Sequence, residues 1–337
     1  MVTAIGCMSG GLDSTLAVRL MQRLDVEVIG LHILHLWAPP PAESGAKPRA
    51  VRAAEALGVP LRTIDAAEAD LALVLAPAHG LGKRMNPCID CRIWSLRRAR
   101  ELMDAERADF VFTGEVLGQR PMSQRRPVMQ LIEREAGLVG RLLRPLSAKC
   151  LPPTQAEQQG LVDREKLLGI RGRARAVQMA LAAEWGITDY PSPAGGCLLT
   201  DPGFALRLRD LLARGPPTVA DVELLKVGRH FRLPDGTLLV MGRSEQDCLL
   251  LDRFFRPGDV RIEAEGIPGP TTLLRGAPGD DNLRTAAALT LRYITKAGPG
   301  PRRVLVQPVG GPKRTITAAP AADADARRLI IAPAEGK

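Results

Sequence analysis

Over residues 1–200 the apolar positions alternate between two periods. Short β-favouring runs begin at Ile5 and cover residues 26–34, 61–64 and 110–113, and stretches of helical spacing cover 14–24, 49–57 and 93–106. That alternation predicts an α/β unit: a parallel sheet with helices on both faces and a ligand at the carboxyl ends of its strands. Residues 38–41 and 77–87 are the long connections, and loops of that size in a compact domain usually carry function. Near residue 203 the pattern changes, with a helix predicted over 204–212 and then the linker Arg214-Gly215-Pro216-Pro217. Further on, Pro234-Asp235-Gly236 separates two apolar arms and predicts a hairpin over 231–240. Strands predicted at 249–255, 260–263, 271–274 and 304–308, with one helix at 282–295, make a small α+β module. The expected organisation is a first domain over 1–203, a helix and linker over 204–217, a second domain over 218–318, and a flexible Ala/Pro-rich tail over 319–337.

A chain of 337 residues has room for two such cores. No apolar run reaches membrane-spanning length and no signal-peptide pattern opens the chain, so no membrane partner and a cytoplasmic location are expected. The six cysteines are few and unevenly spaced, which argues against a disulfide scaffold and for reduced thiols with chemical duties. A net charge of +9 suits a polyanionic partner, although charge alone raises nucleic-acid binding only modestly.

The strand starting near Ile5 runs into Ser9-Gly10-Gly11-Leu12-Asp13-Ser14 and then a helix. Two glycines leave no side chain between the backbone amides and a ligand, so consecutive N–H groups can converge on an anion at the positive end of the helix. The Gly-Lys-Ser/Thr ending of a Walker loop is missing. The motif resembles the PP-loop of the ATP pyrophosphatases, which split ATP into AMP and pyrophosphate. The resemblance implies an adenine nucleotide α-hydrolase-like fold and ATP contacts from Met8, Ser9, Gly10, Gly11, Leu12, Asp13 and Ser14, with Asp13 linked to Mg²⁺. Leu31 and His32, at the end of the second strand, would lie near adenine; His35 is read as wall or packing.

Thr113-Gly114-Glu115-Val116-Leu117-Gly118-Gln119, followed by Leu143-Arg144-Pro145-Leu146, is similar to the catalytic domain of the tRNA 4-thiouridine synthase family. Thr113, Gly114 and Gln119 would then join the ATP site. The chain departs from that family in starting directly at the PP-loop strand and in carrying no rhodanese-like domain, which leaves the modified position and the sulfur source open. Lys226-Val227-Gly228-Arg229-His230-Phe231-Arg232 and Val240-Met241-Gly242-Arg243 resemble the RNA-binding module of the NFACT proteins. That implies tRNA contacts from Arg229, His230, Arg232 and Arg243; dimerisation or a lid is the alternative use of this module.

Asn86-Pro87-Cys88-Ile89-Asp90-Cys91-Arg92 puts two cysteines on one side of a helical turn, where the positive helix end favours thiolate. A similar segment occurs in the tRNA 2-thiouridylase family. Cys197, in Pro193-Ala194-Gly195-Gly196-Cys197, is the third candidate. A cluster, a persulfide or disulfide pair, and zinc are all compatible with Cys-x-x-Cys by itself. By resemblance to cluster-dependent tRNA thiolases, Cys88, Cys91 and Cys197 would hold a [4Fe–4S] cluster with one iron open. Cys7, Cys150 and Cys248 are read as structural. Arg92, Arg97, Arg98, Arg100, Arg171, Arg173 and Arg175 are candidates for phosphate contact or for a solvated face.

The function expected from these resemblances is an ATP-dependent tRNA sulfurtransferase. Its catalytic residues would be Cys88, Cys91, Cys197 and Asp13, its cofactors ATP, Mg²⁺ and a [4Fe–4S] cluster. Its partners would be tRNA and a sulfur donor, either sulfide or a cysteine desulfurase persulfide, with a second copy of the chain a further candidate. The alternatives are a PP-loop enzyme using a nitrogen nucleophile, and an RNA-binding protein with a vestigial ATP site.

Overall fold

The computed structural model describes residues 1–40, 46–190, 196–296 and 298–332. Two compact units divide the chain, residues 1–198 and 199–337.

In the first unit, β1 (Thr3–Cys7), β2 (Glu27–Leu34), β3 (Leu61–Asp65), β4 (Phe110–Thr113) and β5 (Leu142–Leu143) form one sheet in the order β3-β2-β1-β4-β5. All four pairings are parallel. Between the strands run α1 (Leu12–Gln22), α2 (Arg49–Leu57), α3 (Ala67–Leu75), α4 (Cys88–Glu106) and α5 (Arg126–Glu135); α6 (Gln155–Gln158) and α7 (Ala176–Glu184) follow. Successive residues of β1 face opposite sides of the sheet. Ala4 joins a core with Leu12, Leu16 and Ala53 of α1 and α2, whereas Ile5 joins one with Ile93, Leu96 and Ile132 of α4 and α5. This alternation puts helices on both faces, as a doubly covered parallel sheet requires. With β1 central, the β1–α1 and β4 connections meet at the carboxyl edge of the sheet, where the strand order reverses and ligands bind in such folds.

The second unit begins with α8 (Pro202–Leu212) and α9 (Val219–Leu224). Its sheet is built from β6 (Arg229–Arg232), β7 (Leu238–Met241), β8 (Val260–Ala264), β9 (Thr272–Leu274), β10 (Arg302–Pro308) and β11 (Arg314–Ala318), in the order β11-β10-β8-β9-β7-β6. Every pairing is antiparallel. The Pro234-Asp235-Gly236 hairpin forms between β6 and β7, and Asp235 holds the turn by accepting from Thr237 N–H at 2.9 Å. α10 (Glu245–Leu251) precedes β8. The face of α11 (Asp280–Arg292) carrying Leu283, Ala286 and Ala287 packs on the sheet, with a buried Thr272–Thr290 hydroxyl bond at 2.9 Å.

Two expectations are corrected here. Residues 249–255 are not a strand: α10 and a short 3-10 turn occupy them, because Ser244 Oγ caps the helix by accepting from Asp247 N–H at 3.2 Å. The apolar run fits either structure, since only Leu251 is fully buried while Leu249 faces solvent. The segment after 318, expected to be a flexible tail, carries α12 (Asp323–Leu329), whose Ala326 and Leu329 join the core. Ile331 N–H then donates to His230 O at 2.8 Å, stitching that segment to β6; residues 333–337 lie outside the described residues. No described helix is long and apolar enough to cross a membrane.

Candidate active site

Backbone conformation builds the loop between β1 and α1. Gly10 has φ of +71°, and a Cβ there would lie 2.4 Å from the Arg49 carbonyl carbon, so only glycine lets the loop cross the start of α2. Gly114 makes the second close approach: a Cβ on it would lie 2.5 Å from the carbonyl of Asp13 and the amide of Ser14. The segment after β4 therefore packs directly on the phosphate-type loop. Ser14 Oγ donates to Gly11 O at 2.9 Å and stands 3.2 Å from Ser9 Oγ, which tightens the turn. No side chain caps α1, so its first amides keep their donors.

Asp13 is the informative residue of this loop. Its Oδ2 accepts from Gln119 Nε2 at 3.1 Å, while the buried Oδ1 has no hydrogen-bond partner among the described residues. A buried carboxylate oxygen without a partner is costly unless a cation or donor completes it. Phosphate oxygens and Asp13 would repel each other at this loop, and Mg²⁺, which binds through one or two carboxylates plus substrate phosphates, fits between them. Met8 N–H donates to Leu31 O at 2.8 Å, and His32 Nδ1 lies 2.9 Å from Met8 O. Burial lowers the pKa of His32, keeping it a neutral wall. Met8, Leu31 and His32 form one set of direct contacts, and Asp13, Gly114 and Gln119 form another.

Cys88 and Cys91 occupy the first turn of α4. Asn86 Nδ2 lies 3.2 Å from Cys88 Sγ as a donor. Cys91 Sγ lies 3.9 Å from both ring nitrogens of His35. Asp70, fully buried, stands behind His35: its carboxylate is 3.1 Å from Nδ1 and accepts from Leu36 N–H at 2.8 Å. Burial alone would lower the pKa of His35, but Asp70 and Cys91 together raise it to about 10. The Cys197 backbone runs beside this corner, since Leu198 N–H donates to Trp37 O at 2.9 Å. Its upstream neighbours Pro193, Ala194 and Gly195 lie outside the described residues. Cys88, Cys91 and Cys197 are each half-buried, and thiol sulfurs are the donors that an iron–sulfur cluster takes.

Several residues take other places than expected. Arg92 does not face phosphate: its Nε donates to Glu115 Oε1 at 2.8 Å, and Arg144 holds Oε2 of the same carboxylate at 3.1 Å. Burial would raise the pKa of Glu115, yet Arg92 and Arg144 outweigh it and hold the carboxyl at about 2. Arg97 donates to Glu135 O, and Arg98 pairs with Glu101. In the second unit His230 is not a surface contact for RNA. It is buried, its Nε2 bonds Val227 O at 2.9 Å, and burial pushes its pKa down to about 3. Arg232 is held by Asp210 and Arg243 by Asp247, while Arg229 stacks over Tyr293 at 4.7 Å. Cys7 is a half-buried strand thiol whose pKa desolvation pushes up to about 11. Sequence reasoning missed the grouping of Asp70 with His35 and Cys91; a histidine just after the second strand was its only signal.

Residues 228–330 match the family described as the NFACT protein RNA binding domain. Among curated proteins, the chain is similar to tRNA-specific 2-thiouridylase MnmA of Thermus thermophilus, at 31% identity over 32% of this chain and 34% of the relative. It is also similar to MnmA of Acidothermus cellulolyticus, at 26% identity over 67% of this chain and 63% of the relative. The chain therefore matches about a third of the length of the first relative and under two thirds of the second. Among solved structures it aligns with the U34-tRNA thiolase NcsA from Methanococcus maripaludis with its [4Fe-4S] cluster, at 15% identity over 67% of this chain and 70% of that one. The TM-score of 0.33 for that alignment carries no argument. The chain is a distant homologue of the MnmA thiouridylases with an RNA-binding-domain match in its second unit.

Proposed function

We propose that this chain is an ATP-dependent tRNA sulfurtransferase that activates a uridine carbonyl oxygen with AMP and replaces that oxygen with sulfur. The observation that carries the proposal is the Asp13 corner: an open helix terminus, a left-handed Gly10, a Gly114 pressed against the loop, and a buried carboxylate oxygen still lacking a partner. The thiols of Cys88 and Cys91 belong to the same unit, in the first turn of α4.

In this reading the loop amides hold the pyrophosphate portion of ATP, and Asp13 Oδ1 would hold a Mg²⁺ ion, which would supply positive charge for the phosphates. The uridine carbonyl oxygen attacks the α-phosphorus, the bond to pyrophosphate breaks, and pyrophosphate leaves. A carbonyl oxygen is a poor leaving group; as the oxygen of AMP it is a good one. Hydrosulfide then bonds to the ring carbon, the carbon–oxygen bond breaks, AMP carries the oxygen away, and one proton is released. A [4Fe–4S] cluster held by Cys88, Cys91 and Cys197 would supply an iron position open to that sulfur. Binding ATP and base on one unit removes the entropic cost of their meeting. The match over residues 228–330 supports a tRNA grip by the second unit.

Isotope exchange between ATP and pyrophosphate tests the adenylation half. Exchange that needs tRNA and vanishes in Asp13→Ala is expected; exchange insensitive to both would overturn the assignment.

A further inference from the structure

We propose that His35, Asp70 and Cys91 form a binding site for a single zinc-type divalent ion, separate in kind from a cluster on the three cysteines. One nitrogen, one carboxylate oxygen and one sulfur from these side chains all lie within 4.8 Å of one another. Zinc bond lengths of about 2.0–2.3 Å put the ligand atoms of a tetrahedral site roughly 3.3–3.6 Å apart. The observed separations are 3.1 Å between His35 Nδ1 and Asp70 and 3.9 Å between His35 and Cys91 Sγ. The His35–Cys91 separation exceeds that range by a few tenths of an ångström, and Asp70 lies within 4.8 Å of Cys91 Sγ.

The support around the ligands is that of a built site. Asp70 is 1% exposed, and the Leu36 N–H fixes Oδ2, which leaves Oδ1 for a metal. Such contacts to the back of a ligand set its orientation. A nitrogen, oxygen and thiolate set matches the ligand preferences of zinc, and three protein ligands leave a fourth position open. The ligands come from the end of β2, from α3 and from α4, which the sheet brings together although they are far apart in the chain. The inference does not rest on sulfur transfer, but it shares Cys91 with that reading. Zinc at this site and a cluster using Cys91 therefore exclude each other, and occupation by one ion blocks assembly of the other group.

Cobalt is the probe. The full-length chain, purified without oxygen, stripped by chelator and kept reduced, is titrated with Co²⁺ while thiolate-to-cobalt charge transfer is followed, and Zn²⁺ is then added. One cobalt per chain, a thiolate band, and its loss on adding zinc are expected. Cys91→Ser should abolish the band, and His35→Ala and Asp70→Asn should weaken binding by at least about tenfold, the scale seen for ligand-supporting groups. Cys88→Ser and Cys197→Ser should keep the band while losing iron on cluster reconstitution. Absence of a thiolate band in the wild-type chain overturns the proposal without requiring any variant to fold. A band that survives His35→Ala and Asp70→Asn unweakened but disappears in Cys88→Ser or Cys197→Ser also overturns it, assigning the ion to the cysteine trio. An intact cobalt site in a chain that never takes up iron would sink the cluster reading alone.

Discussion

Neighbouring residues on the first turn of α4 serve two opposite corners. Arg92 enters a closed network: Glu115 receives Arg92 and Arg144, and Arg144 also reaches Glu133 at 2.9 Å and Met129 O at 3.4 Å. Cys91, one residue earlier, faces an unfinished corner, with its sulfur 3.9 Å from an imidazole and Asp13 elsewhere in the unit holding an oxygen with no partner among the described residues. Saturated polar groups stabilise a fold and resist ligands. Unsaturated ones cost stability and await a ligand. The comparison separates the scaffold of the first unit from its chemistry.

The largest effect should come from opening the closed network. Glu115→Leu takes the carboxylate from Arg92 and leaves buried Arg144 with Glu133 alone, and breaking such a buried network costs about 3–5 kcal/mol. Chemical denaturation should show that loss; a variant as stable as wild type would mean the network is not a scaffold. Asp13→Ala should do the reverse, leaving stability nearly intact while lowering ATP turnover by about 10²–10³, or about 2.7–4 kcal/mol of transition-state stabilisation. Turnover rates with tRNA present check this.

The two corners should also respond to opposite ends of the pH scale. The Glu115 carboxyl, held at about 2 against an ordinary 4.5, contributes stability that is complete above 4.5 and fades as pH falls toward 2. His35, raised from 6.5 to about 10, contributes stability in the metal-free chain that is complete below 6.5 and is lost as pH rises through 10. Unfolding midpoints measured across pH should therefore converge between wild type and Glu115→Gln in acid, and between wild type and His35→Ala in alkali. The smallest change is expected for Cys91→Ser, a half-buried site whose near-isosteric replacement should shift stability by under about 1 kcal/mol. A large loss of stability would place Cys91 in the scaffold instead.

Legibility follows the same division. Period-two runs and the Ser-Gly-Gly-Leu-Asp-Ser turn are local, so the parallel sheet and the loop at its edge could be read from the chain. The Pro-Asp-Gly hairpin was legible for the same reason. Residues 249–255 misled because leucines fit a strand or a helix, and the deciding Ser244 cap lies outside the run. The closed and open corners join residues far apart in sequence: Arg92 with Arg144, His35 with Asp70 and Cys91. No spacing rule reaches across such distances. His230 shows the converse, since a histidine between two arginines reads as a nucleic-acid face until the sheet turns it inward.

Sulfur transfer coupled to adenylation is the central claim, and nucleoside mass spectrometry tests it most directly. The full-length chain, reconstituted with iron and sulfide without oxygen, is given ATP, sulfide and unmodified tRNA, and the digested nucleosides are weighed while AMP is counted. The account predicts thiouridine in proportion to AMP formed, with both lost in Asp13→Ala and thiouridine alone lost in Cys88→Ser. AMP formation with no thiolated nucleoside, or with nitrogen in place of sulfur, would contradict it.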